Sequence, residues 1–127
     1  MNTDKHGLDE ITQKIIGCAF QVSNGLGAGF LEKVYENALV IELSQASLRV
    51  EQQKSIQVIY GGQVVGDYIA DLVVADSVLV ELKAVKSLDE IHMAQCLNYL
   101  KAANLKLCLL INFGRPKIEV KRIMNGF

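Results

Sequence analysis

Two short stretches constrain this chain more than anything else in it. Val78 to Lys83 is almost continuously apolar, and Lys106 to Phe113 repeats the pattern. A strand without a polar face is stable only when both of its faces are covered, which calls for a layered fold built around a sheet. The chain has 127 residues, half of them hydrophobic. That is enough for one real core, read as a single domain over residues 1–127. Disordered, collagen-like and low-complexity classes are excluded.

Around those stretches the hydrophobic period changes twice. Leu8, Ile11, Ile15, Ala19 and Val22 fall at helical spacing, with Asp9 and Glu10 suited to a first turn. Asn24 to Gly29 is a cluster of breakers and predicts a loop. A second helix is expected from about Phe30 to Gln45. The period then becomes two at Ile56, Val58 and Tyr60, and Gly61-Gly62 predicts a hairpin into a strand from Val64 to Val74. Asp76-Ser77 marks the next turn. Ser87-Leu88-Asp89-Glu90 has the spacing of a capping box, opening a helix to about Ala103. Ile118 to Ile123 alternates as a last, edge strand. The order is helix, helix, three strands, helix, two strands, an α/β (α+β) fold with a mixed sheet.

Charge and composition narrow the function. The net charge is −1, so the chain is not a polycation made to coat nucleic acid. Residues 1–99 carry seven Lys/Arg against thirteen Asp/Glu, whereas 100–127 carry six against one, a weak hint of a phosphate-facing edge. Cys18, Cys96 and Cys108 are odd in number and lack C-x-x-C spacing, which argues against a disulfide framework. The opening residues lack the apolar stretch of a signal peptide, and no apolar run approaches a membrane span. A cytoplasmic location is expected. With only His6 and His92, a histidine-rich zinc site is not available. Neither a G-x-S-x-G elbow nor a Walker-type G-K-[ST] occurs. Gly25, Gly27 and Gly29 follow a helix rather than a strand, so they are not a dinucleotide loop.

The informative residues are charges inside apolar strands. Asp71 interrupts Tyr68-Ile69-Ala70-Asp71-Leu72-Val73-Val74, and Glu81 and Lys83 interrupt the run from Val78. Buried charges are costly unless paired or metal-bound. Glu81 and Lys83 are two apart and share a face. Whether Asp71 joins them depends on the turn. A two-residue loop would set Asp71 against Leu82, on the wrong face. A three-residue loop, Ala75 to Ser77, or one bulge sets it against Glu81, and this odd register is the expectation. Two carboxylates held side by side repel, and a divalent cation between them removes that cost. A neighbouring lysine can then orient water and steady negative charge, the layout for phosphodiester hydrolysis. The alternative is an ordinary solvated E-x-K strand face.

Glu32 flanks the apolar helix line of Leu39 and Leu43. It either contributes a further carboxylate or is an exposed group paired with Lys33 or Lys54. Gln95 and Tyr99 are four apart on one stripe with His92 and Cys96, a stripe that also fits ordinary helix packing.

Taken together, these residues resemble a known family. Gly29-Phe30-Leu31-Glu32-Lys33-Val34-Tyr35 matches the signature of the GxxExxY protein family, a branch of the PD-(D/E)xK nuclease-like superfamily. The resemblance continues through Tyr68-Ile69-Ala70-Asp71, Val80-Glu81-Leu82-Lys83-Ala84-Val85, Ala94-Gln95-Cys96-Leu97-Asn98-Tyr99-Leu100 and Leu110-Ile111-Asn112-Phe113-Gly114, over about residues 9 to 124. It implies a restriction-endonuclease-like core, a central mixed sheet flanked by helices, with the site at one edge of the hairpin. It also implies catalytic roles for Asp71, Glu81 and Lys83, and a metal held by Asp71, Glu81, the Leu82 carbonyl and Glu32. Gln95 and Tyr99 look like the Q-x-x-x-Y motif of RecB-like exonucleases. Where the family usually has His, this chain has Ser23. A nitrogen ligand is therefore missing, and magnesium (or manganese) is the expected ion.

The expected function is a divalent-metal-dependent nuclease acting on nucleic acid, with DNA favoured. Lys101, Lys106, Arg115, Lys117, Lys121 and Arg122 are candidates for neutralising its backbone. A domain this small has little surface for gripping a duplex, which points to a homodimer or a larger protein partner. The rival is a nucleic-acid-binding or protein-interaction module whose nuclease site is idle.

Overall fold

The computed structural model describes residues 5–126, with side chains from residue 7. The opening Met1 to Asp4, part of the stretch read as lacking a signal peptide, and the His6 side chain lie outside the described residues. Helix α1 spans Lys5–Leu26 and α2 spans Glu32–Gln45. Strands β1 (Val50–Tyr60), β2 (Gln63–Val74) and β3 (Val78–Lys83) follow, then α3 (Glu90–Ala103), β4 (Leu107–Asn112) and β5 (Glu119–Met124). The strands form one mixed sheet in the order β1-β2-β3-β4-β5. Only β3 and β4 are parallel, joined by the α3 crossover; the other neighbours are antiparallel.

Both faces of the central strands are covered, as their composition demands. Leu72, Val74, Val80, Leu82, Leu109 and Ile111 pack with Ile15, Leu39 and Leu43 of α1 and α2. On the other side Val73, Leu79, Cys108 and Leu110 pack with Cys96 and Leu100 of α3. Every residue of β4 is buried, and so are the first five of β3. Strand β5 is an edge, as its alternation indicates. The three cysteines are free and buried. Among the described residues no helix is long and apolar enough to cross a membrane.

Several boundaries differ from the sequence expectation: β1 begins at Val50, ahead of the alternation from Ser55, α2 begins at Glu32 rather than Phe30, and both ends of α1 and the cap of α3 are displaced. Helix α1 runs through Ser23, Asn24 and Gly25, because a glycine near a helix end costs little. It stops at Gly27, whose φ of 72° and N–H bond to the Ser23 carbonyl (2.8 Å) form a left-handed cap. Its start at Lys5 moves Asp9 out of the first turn, and Asp9 instead approaches Arg122 at 4.0 Å. The capping box of α3 begins at Asp89, not Ser87. Asp89 Oδ1 accepts the His92 N–H (3.1 Å), and His92 Nδ1 accepts the Asp89 N–H (3.2 Å). A histidine in the place of the usual Glu or Gln hid this cap.

Candidate active site

Strands β2 and β3 pair as Leu72↔Val80, Val73↔Leu79 and Val74↔Val78, leaving Ala75 to Ser77 as a three-residue turn. Ala75 and Asp76 take left-handed φ values of 53° and 54°. The Ser77 N–H closes the turn on the Val74 carbonyl (3.0 Å). One step further along this register, Asp71 stands opposite Glu81, on the face that Lys83 shares. The odd register is the one formed.

At that step the strands part, and the carboxylates take over as acceptors. The Asp71 N–H donates to Glu81 Oε2 (2.8 Å), and the Leu82 N–H donates to Asp71 Oδ2 (2.9 Å). Glu81 is 7% exposed. Burial pushes its carboxyl up to about 8, and the Asp71 charge pushes the same way; the Asp71 N–H and Lys83 oppose them. Burial likewise raises the Asp71 carboxyl, opposed by the Leu82 N–H. Glu32 stays exposed in the first turn of α2, yet the protein packed around it raises its carboxyl too. Lys83 opposes that rise and Asp71 reinforces it. Lys83 thus opposes the rise of all three carboxyls. The Lys83 carbonyl accepts from Phe113 N–H (2.8 Å) on the β4 side. Since successive carbonyls of a strand alternate, that of Leu82 turns toward β2 and the gap.

Asp71 also marks a crease in the hairpin. Leu72 packs with α1 and α2, whereas Ala70, two residues earlier, packs with the α3 layer. In an unbroken strand these two would share a face. On β1 the pairs Gln52↔Leu72 and Lys54↔Ala70 skip Gln53, which lies opposite Asp71 and has a φ of 55°. Left-handed glutamine in a strand is uncommon and must be held in place. Glu36 of α2 holds it. This side chain is 4% exposed, and both its oxygens accept Gln53 Nε2 (3.0 Å each). Its Oε2 also accepts Gln52 Nε2 (2.5 Å) and Lys33 Nζ (2.9 Å). Burial pushes the Glu36 carboxyl up, but the three donors together outweigh it and hold the group below its usual range. The ion pairs once open to Glu32 go elsewhere: Lys33 to Glu36, and Lys54 to Glu51 (2.7 Å).

Other side chains brace the loops around this crease. Tyr35 donates to the Gly27 carbonyl (2.6 Å), accepts the Phe30 N–H (3.1 Å) and stacks on Phe113 at 4.8 Å. The tyrosine of the G-x-x-E-x-x-Y stretch therefore ties the loop before Glu32 to the end of β4. Asn112 is fully buried, and its amide bridges the Val85 backbone and Glu119. Gly114 lies against Ala84 and Val85 so closely that a Cβ there would meet the Ala84 carbonyl carbon at 2.7 Å. Together they fix the chain just beyond Lys83. Of these, Asn112 lies in a stretch that carries the family resemblance, whereas Glu36 and Gln53 carry no motif-like signal of their own. A buried charge or amide would have been visible only once the helix and strand faces were known.

On α3, Tyr99 meets Tyr68 of β2 at 4.7 Å with rings tilted by 53°. Burial raises its hydroxyl, and the nearby charges of Glu81 and Asp71 add to this. Cys96 is core, as packing would have it. Gln95 is exposed, and its side chain bonds to none of the described residues. The six basic residues are not gathered into one patch. Arg115 and Lys117 lie in the β4–β5 loop, at the Lys83 end. Lys106 precedes β4 at the opposite end, and Arg122 is turned toward Asp9. Among the described residues, no three His, Cys, Asp or Glu side chains are grouped closely enough to hold a metal ion as they stand. The oxygen donors converging on the β2–β3 gap nevertheless fit a hard divalent cation, since their charges repel in a buried place.

Comparison with known proteins bears on the fold first. The chain is similar to the crystal structure of SSO0001, with a TM-score of 0.59 and 19% identity over 75% of this chain; it spans half of that protein's length. It is also similar to an alkaline exonuclease (LHK-Exo) from Laribacter hongkongensis, with a TM-score of 0.55 and 12% identity over 99% of this chain and 73% of that one. At such identities the likeness is one of fold. No curated protein matches the chain significantly. The sequence model of the PD-(D/E)XK nuclease superfamily, however, matches residues 9–123, from within α1 to the end of β5. With the restriction-endonuclease-like sheet and its paired acidic strands, that match makes the chain a member of the PD-(D/E)XK nuclease superfamily.

Proposed function

We propose that this chain is a divalent-metal-dependent nuclease hydrolysing phosphodiester bonds, with DNA as its favoured substrate, in the GxxExxY branch of the superfamily. The observation that carries the proposal is the opposition of Asp71 and Glu81 in the buried break between β2 and β3, with Lys83 beside them. Nucleases of this superfamily generally use divalent metals. Asp71, Glu81, the Leu82 carbonyl and Glu32 form an all-oxygen set suited to magnesium or manganese. Such an ion supplies Lewis acidity toward phosphate and acidifies water. Asp71 and Glu81 would hold such an ion beside the buried break, where its field on a phosphate would be weakly screened. Lys83 orients the attacking water and stabilises the charge that builds on the phosphoryl oxygens. Gln95 approaches from α3 to orient Lys83 or the water. Tyr99 packs beneath the site or meets a phosphate. Arg115 and Lys117 are the basic residues best placed to neutralise the backbone near the cut. The domain is taken to work in the cytoplasm, as a homodimer or with a larger partner when it grips a duplex.

Labelled DNA incubated with magnesium or manganese tests this directly. Lys83→Ala and Asp71→Asn are each expected to lower the cleavage rate by roughly 10²–10³-fold. Cleavage that survives both substitutions would mean another site or another protein.

One observation favours a second reading, an idle site on a binding module. Asp71 and Glu81 already accept backbone N–H groups, so the gap is partly satisfied without an ion. Manganese titration separates the two. A melting temperature that does not move with millimolar manganese would favour the idle module.

A further inference from the structure

Beyond the crease, the β1–β2 hairpin leans over α3 and encloses a groove of about 460 Å³. It is lined by Gln57, Val58, Ile59 and Tyr68 of the hairpin and by Asn98, Lys101 and Ala102 of α3. No acidic side chain lines it. The neighbouring groove under the same hairpin is different, being lined by Glu51 and Asp76 as well as Lys54. In a chain of net charge −1, a groove lined by a lysine and no carboxylate suits an anionic ligand.

The lining suggests what that ligand is. A nucleobase presents a flat apolar face and a rim of donors and acceptors, and it comes attached to a phosphate. Tyr68, 42% exposed, offers a ring face held in position by Tyr99. Gln57 and Asn98 each offer an amide donor and an acceptor, which suit the rim of any base. Lys101 suits the phosphate. A duplex keeps its base faces covered, so only an unpaired nucleotide can use such a wall. Tyr68 stands three residues before Asp71 on the same strand, roughly 10 Å along it, which sets the groove near the proposed cut.

We propose that the groove between the hairpin and α3 binds an unpaired nucleobase of a single-stranded nucleic acid, stacked on Tyr68 with its phosphate at Lys101. This deepens the nuclease reading by naming a strand with at least one unpaired base as the substrate class, and it rests on that reading for the position of the cut.

The test compares two labelled single strands of equal length in calcium, one intact and one with every base replaced by an abasic tetrahydrofuran unit. Fluorescence anisotropy reads their affinities for the natural protein. The intact strand is expected to bind roughly 5- to 150-fold more tightly, the range that one stacked base provides. Tyr68→Ala is expected to abolish that ratio and Tyr68→Phe to keep it, since the ring rather than the hydroxyl forms the wall. Lys101→Ala is expected to weaken both strands alike and to flatten the salt dependence. Equal affinity for the two strands would overturn the proposal, as would a ratio that survives Tyr68→Ala, or no binding of either strand. The nuclease reading fails separately. If base discrimination is present while cleavage does not depend on Lys83, the groove stands and the cutting site does not. If Lys83-dependent cleavage occurs without base discrimination, the reverse holds.

Discussion

Strand β3 and the outer half of the β1–β2 hairpin belong to one sheet and use their apolar residues in opposite ways. Val78 to Leu82 are buried on both faces, with Glu81 among them. At the hairpin tip Ile59, Tyr60, Val64 and Val65 are exposed, although the strands stay paired there across a register shift between Val58 and Ile59. The difference lies in neighbours. Strand β3 is paired on both edges and layered on both faces, whereas the hairpin beyond Ala70 has no third strand. A charge placed in the first environment is forced to find donors or change its protonation. An apolar group in the second costs little and offers surface to a ligand. Asp71 sits where one regime passes into the other, at the crease held by Gln53 and Glu36.

The largest effect expected from breaking this contrast is at Glu81. Its carboxyl ionises near 4.5 in an unfolded chain and near 8 in the fold. Below pH 4.5 it is protonated in both states and its contribution to stability is fully present. Between about 4.5 and 8 the unfolded chain ionises while the folded one resists, so stability falls. Above about 8 the loss is complete, on the order of a few kcal/mol. Glu81→Gln keeps an acceptor for the Asp71 N–H and removes the titration. With chelator present, chemical denaturation at pH 9 is expected to find this variant more stable than the natural protein, while at pH 4 the two converge. A natural protein whose stability does not fall over that window would mean that Glu81 is better solvated than its burial indicates.

A smaller effect is expected at Glu36. Truncation in Glu36→Ala leaves the Gln53 amide without its acceptor, leaves Gln52 only Asn37 Oδ1 (2.8 Å), and releases the left-handed turn opposite Asp71. The cost is about 1–3 kcal/mol, the range for buried groups left unsatisfied. Thermal or urea unfolding at neutral pH measures it. Loss of less than about 0.5 kcal/mol would show that the crease is held by the hairpin itself.

How much of this was legible in the sequence follows the same division. The register of β2 on β3 was, because Asp71, Glu81 and Lys83 make physical sense only on one face, and only an odd turn puts them there. The covered strands were legible too, since nothing but burial on both sides explains Leu107 to Asn112. The crease was not. Gln52 and Gln53 lie ahead of the alternation at Ile56, Val58 and Tyr60 that marks the strand, and Glu36 has nothing to set it apart from the other charges of its helix. Their meeting requires α2 to lie across β1, a tertiary fact with no local trace. The cap of α3 was missed for a local reason, since His92 answers Asp89 where a glutamate was sought. Gln95 was named from a motif alone, and its exposed position leaves that role to the approach of substrate rather than to any contact in the fold.

The smallest effect is expected at the hairpin tip, where it sharpens the contrast by being nearly absent. Tyr60 is 79% exposed beside Gly61 and Gly62, whose φ values of 59° and 77° make the tight turn. Its ring covers little of the core, so Tyr60→Ser removes almost no burial and leaves the turn glycines alone. Surface changes of this kind fall within about 0.5 kcal/mol. Urea denaturation of the variant should therefore give the natural midpoint and slope. A loss well above that range would place Tyr60 against some part of the folded chain. The hairpin would then behave like β3, as covered structure, and its apolar tip could no longer be treated as surface free to meet a nucleic acid.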